Sequence, residues 1–125
     1  MVCLLLACSA ARLPAQDKPN FYAVIIGVSE FPNLPKDQWL KYADADARDF
    51  YKVITSPMGR SFPPENVFLL TNKDASHEAL RKKLGDTLPK KVKPGDTVYL
   101  FVATHGTVEK QADKEAFLLA YDSDL

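Results

Sequence analysis

Phe21-Tyr22-Ala23-Val24-Ile25-Ile26-Gly27-Val28 is the stretch on which the fold turns. It is apolar throughout, without the polar alternation of a half-exposed strand, which is how a parallel strand covered on both faces reads. Gly27 near its end allows another backbone to come close. Beyond a loop with Pro32 and Pro35, Ala43, Ala47, Phe50 and Ile54 recur at helical spacing. Asp44 and Asp46 stand where a helix N-terminus favours negative charge, and the helix is expected to end before Pro57. The Pro/Gly-rich stretch Ser56 to Glu65 leads to a second apolar run, Val67 to Leu70. Asp74 or Ser76 then caps a second helix with Ala79, Leu80, Leu84 and Leu88 as its inner stripe, and Pro89 is expected to stop it. Arg81, Lys82 and Lys83 form its solvated side. After the turn Pro94-Gly95-Asp96, Thr97 to Thr104 reads as a third buried strand.

Strand, helix, strand, helix, strand makes a βαβαβ unit, so the fold class is α/β: a mainly parallel sheet between helical layers, three layers in all. In such a sheet every loop leaving a strand's carboxyl end opens on one edge. Ser29 and Glu30, the helix start at Asp44 and Asp46, Asn72 to Asp74, and His105 are therefore expected along one rim. Lys and Arg total 16 against 16 for Asp and Glu, which argues against a nucleic-acid partner held by a basic surface. With 125 residues, 46% hydrophobic and 26% charged, the chain has the composition of one globular domain.

Met1 to Ala11 is an apolar run too short for a spanning helix and right for the core of a secretion signal. Residues 1–15 read as a leader cleaved after Ala15. Alternatively, Leu5-Leu6-Ala7-Cys8 resembles a bacterial lipobox, which would place a lipid anchor at Cys8. The first positive side chain is Arg12, so a basic region would have to lie upstream of Met1. Residues 16–20 form a polar linker and 21–125 the domain, giving a secreted or periplasmic location in a bacterial cell.

His105 follows the third strand directly, in Ala103-Thr104-His105-Gly106, where the strand's rigidity would fix an imidazole able to move protons near neutral pH. Gly106 allows a sharp turn there and an unshielded N–H toward a developing oxyanion. The plainer alternative is a strand-end histidine making a local hydrogen bond. With only His77 and His105 a zinc site is improbable, and His77 reads as a solvated first-turn residue. Phosphoryl transfer would need acidic residues closing the first and third strands, where Glu30 and His105 stand; Asp44-Ala45-Asp46 begins a helix instead.

Five segments in order, Tyr22 to Gly27, Leu40 to Ala47, Val67 to Thr71, Tyr99 to Gly106 and Phe117 to Asp122, resemble the caspase-like cysteine peptidases of the C14 type, the clan of caspases and metacaspases. The resemblance covers about Phe21 to Leu125. It implies a cysteine endopeptidase acting on peptide or protein substrates. His105 would assist a thiol and the Gly106 backbone would hold the oxyanion. Asp46 would line a pocket for Arg or Lys before the cleaved bond, though an aspartate at a helix start is stabilising in its own right. A calcium requirement also comes with the resemblance, with Asp122 and Asp124 as oxygen donors, but six to eight oxygens cannot be assembled from this sequence.

The chain departs from the family in its thiols. Caspases carry their cysteine about 50 residues after the histidine, whereas residues 106–125 hold none, and both cysteines, Cys3 and Cys8, lie in the leader. The chain reads as the front part of a peptidase domain, inactive alone and prone to aggregate through an unpaired sheet edge. Thr104 stands where the family more often has Gly. The alternative is a non-catalytic caspase-like module for interaction or scaffolding.

Overall fold

A computed structural model describes residues 18–59, 62–108 and 115–124; the leader expected at 1–15, with Cys8, lies outside them. β1 (Phe21–Gly27) is the central strand of a parallel sheet, with β2 (Val67–Thr71) on one side and β3 (Thr97–Ala103) on the other. Ile25 stands opposite both Leu69 and Phe101. A strand paired on both edges and covered on both faces keeps no solvated side chain, and Tyr22 to Gly27 are all buried.

Alternate side chains of β1 feed two cores. Ala23 and Ile25 pack with Ala47 and Ile54 of α1 (Ala43–Thr55) and with Phe62 and Val67. Tyr22, Val24 and Ile26 pack on the opposite face with Val28, Phe31, Leu34, Ala75, Leu88 and Leu119. The chain moves from β1 to β2 through α1, then back across β1 to β3 through the second helical segment. Because the direction of travel reverses, two crossovers of one hand must lie on opposite faces of the sheet, as these do.

Gly27 is required where it stands. A Cβ there would come 2.4 Å from the Ala43 carbonyl oxygen and 2.5 Å from the Ala47 Cβ, so the absent side chain lets α1 lie directly on β1.

Three sequence expectations are corrected. Pro89 does not stop the second helix, which runs as α2 (His77–Arg81), a π-helical stretch over Lys82–Thr87, and α3 (Leu88–Lys91). In an unbroken α-helix the proline ring would meet the carbonyl four residues before it. The wider π turn, in which the Leu88 N–H bonds the Lys83 carbonyl, puts Pro89 in the first turn of α3, where an N–H has no intrahelical partner. Leu84, at the inner-stripe spacing, is 36% exposed, since the same widening breaks the 3.6-residue phase. β3 is not buried on both faces: Tyr99 and Phe101 pack on the α1 side, but Val98 and Leu100 are 41% and 59% exposed because β3 is an edge of the described sheet.

Of the two candidate caps, Ser76 is the one used, its Oγ accepting the Ala79 N–H at 3.3 Å. After β3 the chain forms an antiparallel ribbon of β4 (Gly106–Val108) and β5 (Ala116–Leu118). Among the described residues no helix is long and apolar enough to cross a membrane.

Candidate active site

The rim at the carboxyl ends of the strands gathers most of the expected residues. β3 delivers His105 with its main chain held on both sides. The Val28 N–H donates to the Ala103 carbonyl at 2.9 Å, and the Leu119 N–H donates to the His105 carbonyl at 2.8 Å. Thr104 adds a third tie, its hydroxyl donating to the Leu119 carbonyl at 2.7 Å.

The His105 ring rests against Phe31, with centroids 5.2 Å apart, and its Nε2 lies 2.5 Å from the Gln38 carbonyl oxygen. A carbonyl oxygen only accepts, so Nε2 carries the proton, and in the neutral ring Nδ1 keeps its lone pair. One ring nitrogen is thereby tied down and the other is left able to take a proton, the arrangement that base catalysis requires. Gln38 ends a short 3₁₀ turn, Lys36–Gln38, whose Gln38 N–H donates to the Pro35 carbonyl at 2.9 Å. Residue type carries no signal for a backbone carbonyl, and Gln38 is not legible as a site residue from sequence.

Gly106 opens β4, and its φ is not positive, so the sharp turn expected of it is absent; the chain bends at Thr104 and enters β4 extended. Leu119 bonds His105, and Gly106 faces Leu118 in the next pair of the ladder. Hydrogen-bonded and non-bonded pairs alternate in an antiparallel ribbon, so the Gly106 N–H is directed away from β5 and is not consumed by it.

Around β1 and β2 the rim is a closed polar network. Ser29, buried, donates through Oγ to the Asp44 carboxylate at 2.6 Å and accepts the Asp44 backbone N–H at 3.0 Å. The hydroxyl thus serves a first-turn N–H of α1, whose N-cap residue Tyr42 supplies no side-chain bond. Asp44 also pairs with Arg48, which donates to the Thr71 hydroxyl at 2.8 Å. The Ser29 hydrogen bond holds the Asp44 carboxyl below the ordinary carboxylate range, with Arg48 adding to it and burial opposing it. Asn72, in the left-handed region at φ 46°, accepts the Ser29 N–H through Oδ1 at 2.9 Å. Asp46 is exposed on the same turn of α1, its backbone N–H bonded to the Tyr42 carbonyl at 2.8 Å. The rim network includes Asp44 and not Asp46.

Between β1 and β2, where the connections leave toward opposite faces, a crevice of about 280 Å³ is lined by Glu30, Arg48, Thr71, Asn72, Lys73 and Asp74, with Tyr121 closing it. His105 is not part of its wall.

Of the two donors named for calcium, Asp122 is already engaged. Asp122 uses Oδ1 to accept the His77 N–H at 2.7 Å, and its carbonyl accepts the Asn33 amide at 3.2 Å. Among the described residues no three His, Cys, Asp or Glu side chains are grouped to hold a cation. His77 is the exposed first residue of α2.

The fold and rim define a three-layer α/β domain with an imidazole set at the edge of its sheet. The family model of Peptidase C14, the caspase domain, matches residues 20–124, and the chain belongs to that family. It is a peptidase family, which implies protein substrates. No curated protein matches the chain.

Proposed function

We propose that this chain supplies the histidine half of a cysteine endopeptidase. His105 Nδ1 takes the proton of a thiol, and the thiolate attacks the scissile carbonyl carbon. The electron pair displaced onto the oxygen is met by the Gly106 N–H. Collapse of the intermediate expels the amine, which receives the proton from the imidazolium. Asp46 receives an Arg or Lys side chain before the cleaved bond by charge pairing. The observation that carries this reading is the bond from His105 Nε2 to the Gln38 carbonyl, because it leaves Nδ1 as the basic nitrogen.

Residues 9–125 contain no cysteine, so the sulfur belongs to a segment outside them. The same fact favours a second reading, a caspase-like module that binds partners without catalysis. We further propose export from the cell through the apolar leader, with Cys8 as the site of a lipid anchor if the leader is processed there.

The test is to read the coding sequence past codon 125 and assay its product on peptides with Arg, Lys or Asp before the scissile bond. A further strand ending in a cysteine, with thiol-dependent cleavage lost in His105→Ala, supports the peptidase. A stop codon, or no thiol-dependent cleavage, supports the binding module, and cleavage indifferent to His105 overturns the role given to His105. The 125-residue chain by itself is expected to be inert.

A further inference from the structure

We infer that Trp39 is a positioning residue for His105, setting the imidazole through the loop that carries its hydrogen-bond acceptor. The inference rests on the reading of His105 given above. Both supports of the ring come from one loop: the Gln38 carbonyl meets Nε2, and the Phe31 ring lies beside it. Nothing in regular secondary structure holds a loop of this length between a strand and a helix except the bonds it makes to itself and to its ends.

Trp39 makes the central ones. Its indole N–H is shared between the Phe31 carbonyl at 2.9 Å and the Leu34 carbonyl at 3.3 Å. The Phe31 carbonyl also accepts the Leu34 N–H at 2.9 Å, so both of its lone pairs are used and its peptide plane is fixed. At the backbone, the Trp39 N–H donates to the Lys36 carbonyl at 3.2 Å and closes the turn that ends at Gln38. One residue therefore ties the Phe31 support to the Gln38 support. The Leu40 N–H donates to the Ser29 carbonyl at 3.0 Å and fastens the far end of the loop to its near end, two residues past β1. The indole is half-buried and packs on the core cluster to which β1 contributes Tyr22, Val24 and Ile26 and the loop contributes Phe31 and Leu34, so its ring is anchored to the sheet as well as to the loop it braces.

The indole N–H is the testable part, since its ring has a separate packing role. The signature is the His105 Nε2–H proton, which is seen by NMR as a downfield resonance when a hydrogen bond shields it from exchange with water. Two chains are compared at a pH where the ring is neutral: the native chain, and one carrying 3-benzothienylalanine at position 39, which keeps the shape of tryptophan and lacks the N–H. Trp39→Phe serves as a second variant. The native chain should show the protected proton, and loss of the indole donor should speed its exchange by about two- to tenfold, the population worth of one hydrogen bond. Thermal unfolding of each chain separates this from a general loss of fold, because the isostere keeps the packing. A protected proton in both chains overturns the role of Trp39 while leaving the bond to Gln38 in place. No protected proton in the native chain overturns the reading of His105 itself, and this inference with it.

Discussion

Ser29 and Asp44, fifteen residues apart, exchange two hydrogen bonds that join the end of β1 to the start of α1. The hydroxyl gives its proton to the carboxylate and receives the backbone N–H, so a single side chain both caps the helix and depresses the acid's pKa. Asp44 binds its proton more weakly folded than unfolded. Its contribution to stability is therefore fully present above the ordinary carboxylate value of 3.8 and is lost as pH falls through the lower folded value. Ser29→Ala should cost about 1–3 kcal/mol near neutral pH, as expected for a hydrogen bond to a charged group, and should bring the Asp44 titration back toward 3.8. Urea unfolding at pH 7 and carboxyl NMR across pH 2 to 5 would check both, and an unchanged Asp44 titration in Ser29→Ala would remove the hydroxyl as the cause.

Gly27→Ala tests the contact of strand and helix. The new methyl would overlap backbone and Cβ atoms of α1, neither of which can swing aside. The expected cost is about 1–3 kcal/mol or more, the range for overpacking a tight core. A thermal midpoint equal to the native chain's would show that α1 does not lie on β1 as described.

Gly106→Ala should behave in the opposite way. Its Cβ would stand 3.6 Å from the Phe117 carbonyl, an ordinary contact, and its φ suits any residue. Stability should change by no more than about 0.5 kcal/mol. In a cleavage-competent protein the variant keeps the N–H but sets a methyl beside it, so kcat should fall by less than the roughly 10²–10³-fold that loss of an oxyanion donor costs, with KM little altered. Full activity in this variant would show that the N–H needs no unshielded approach.

The exposed edge predicts association. Val98 and Leu100 present an apolar stripe on β3, a strand paired on one side only among the described residues. The 125-residue chain should therefore gain mass with concentration in light scattering, and Val98→Lys with Leu100→Lys should keep it monomeric. A native chain that stays monomeric at high concentration would show that this edge is not adhesive.

The segments that form elements were legible because each is strongly patterned. An uninterrupted apolar run such as Tyr22 to Ile26 reads as a strand of a parallel sheet, and the spacing of Ala43, Ala47 and Ile54 admits only one buried helix face. His105 could be picked out because topology alone brings strand ends to one rim. What failed was the fate of β3, whose apolar residues read alike whether buried or at an edge. Pro89 failed as well, because a local rule about helices was overridden by a change of helical pitch.

Sequence alone determined the α/β order, the burial of β1 on both faces and the histidine at the end of the third strand, since each follows from side-chain chemistry or short-range period; the central place of β1 and the need for glycine at position 27 came from the pairing and the contact with α1. Only the tertiary structure decided what holds that histidine. The acceptor at Gln38 is a backbone atom common to every residue, and the brace at Trp39 acts through a loop with no period to read. Such contacts are made by atoms that residue type does not distinguish, across separations that only the folded chain brings together.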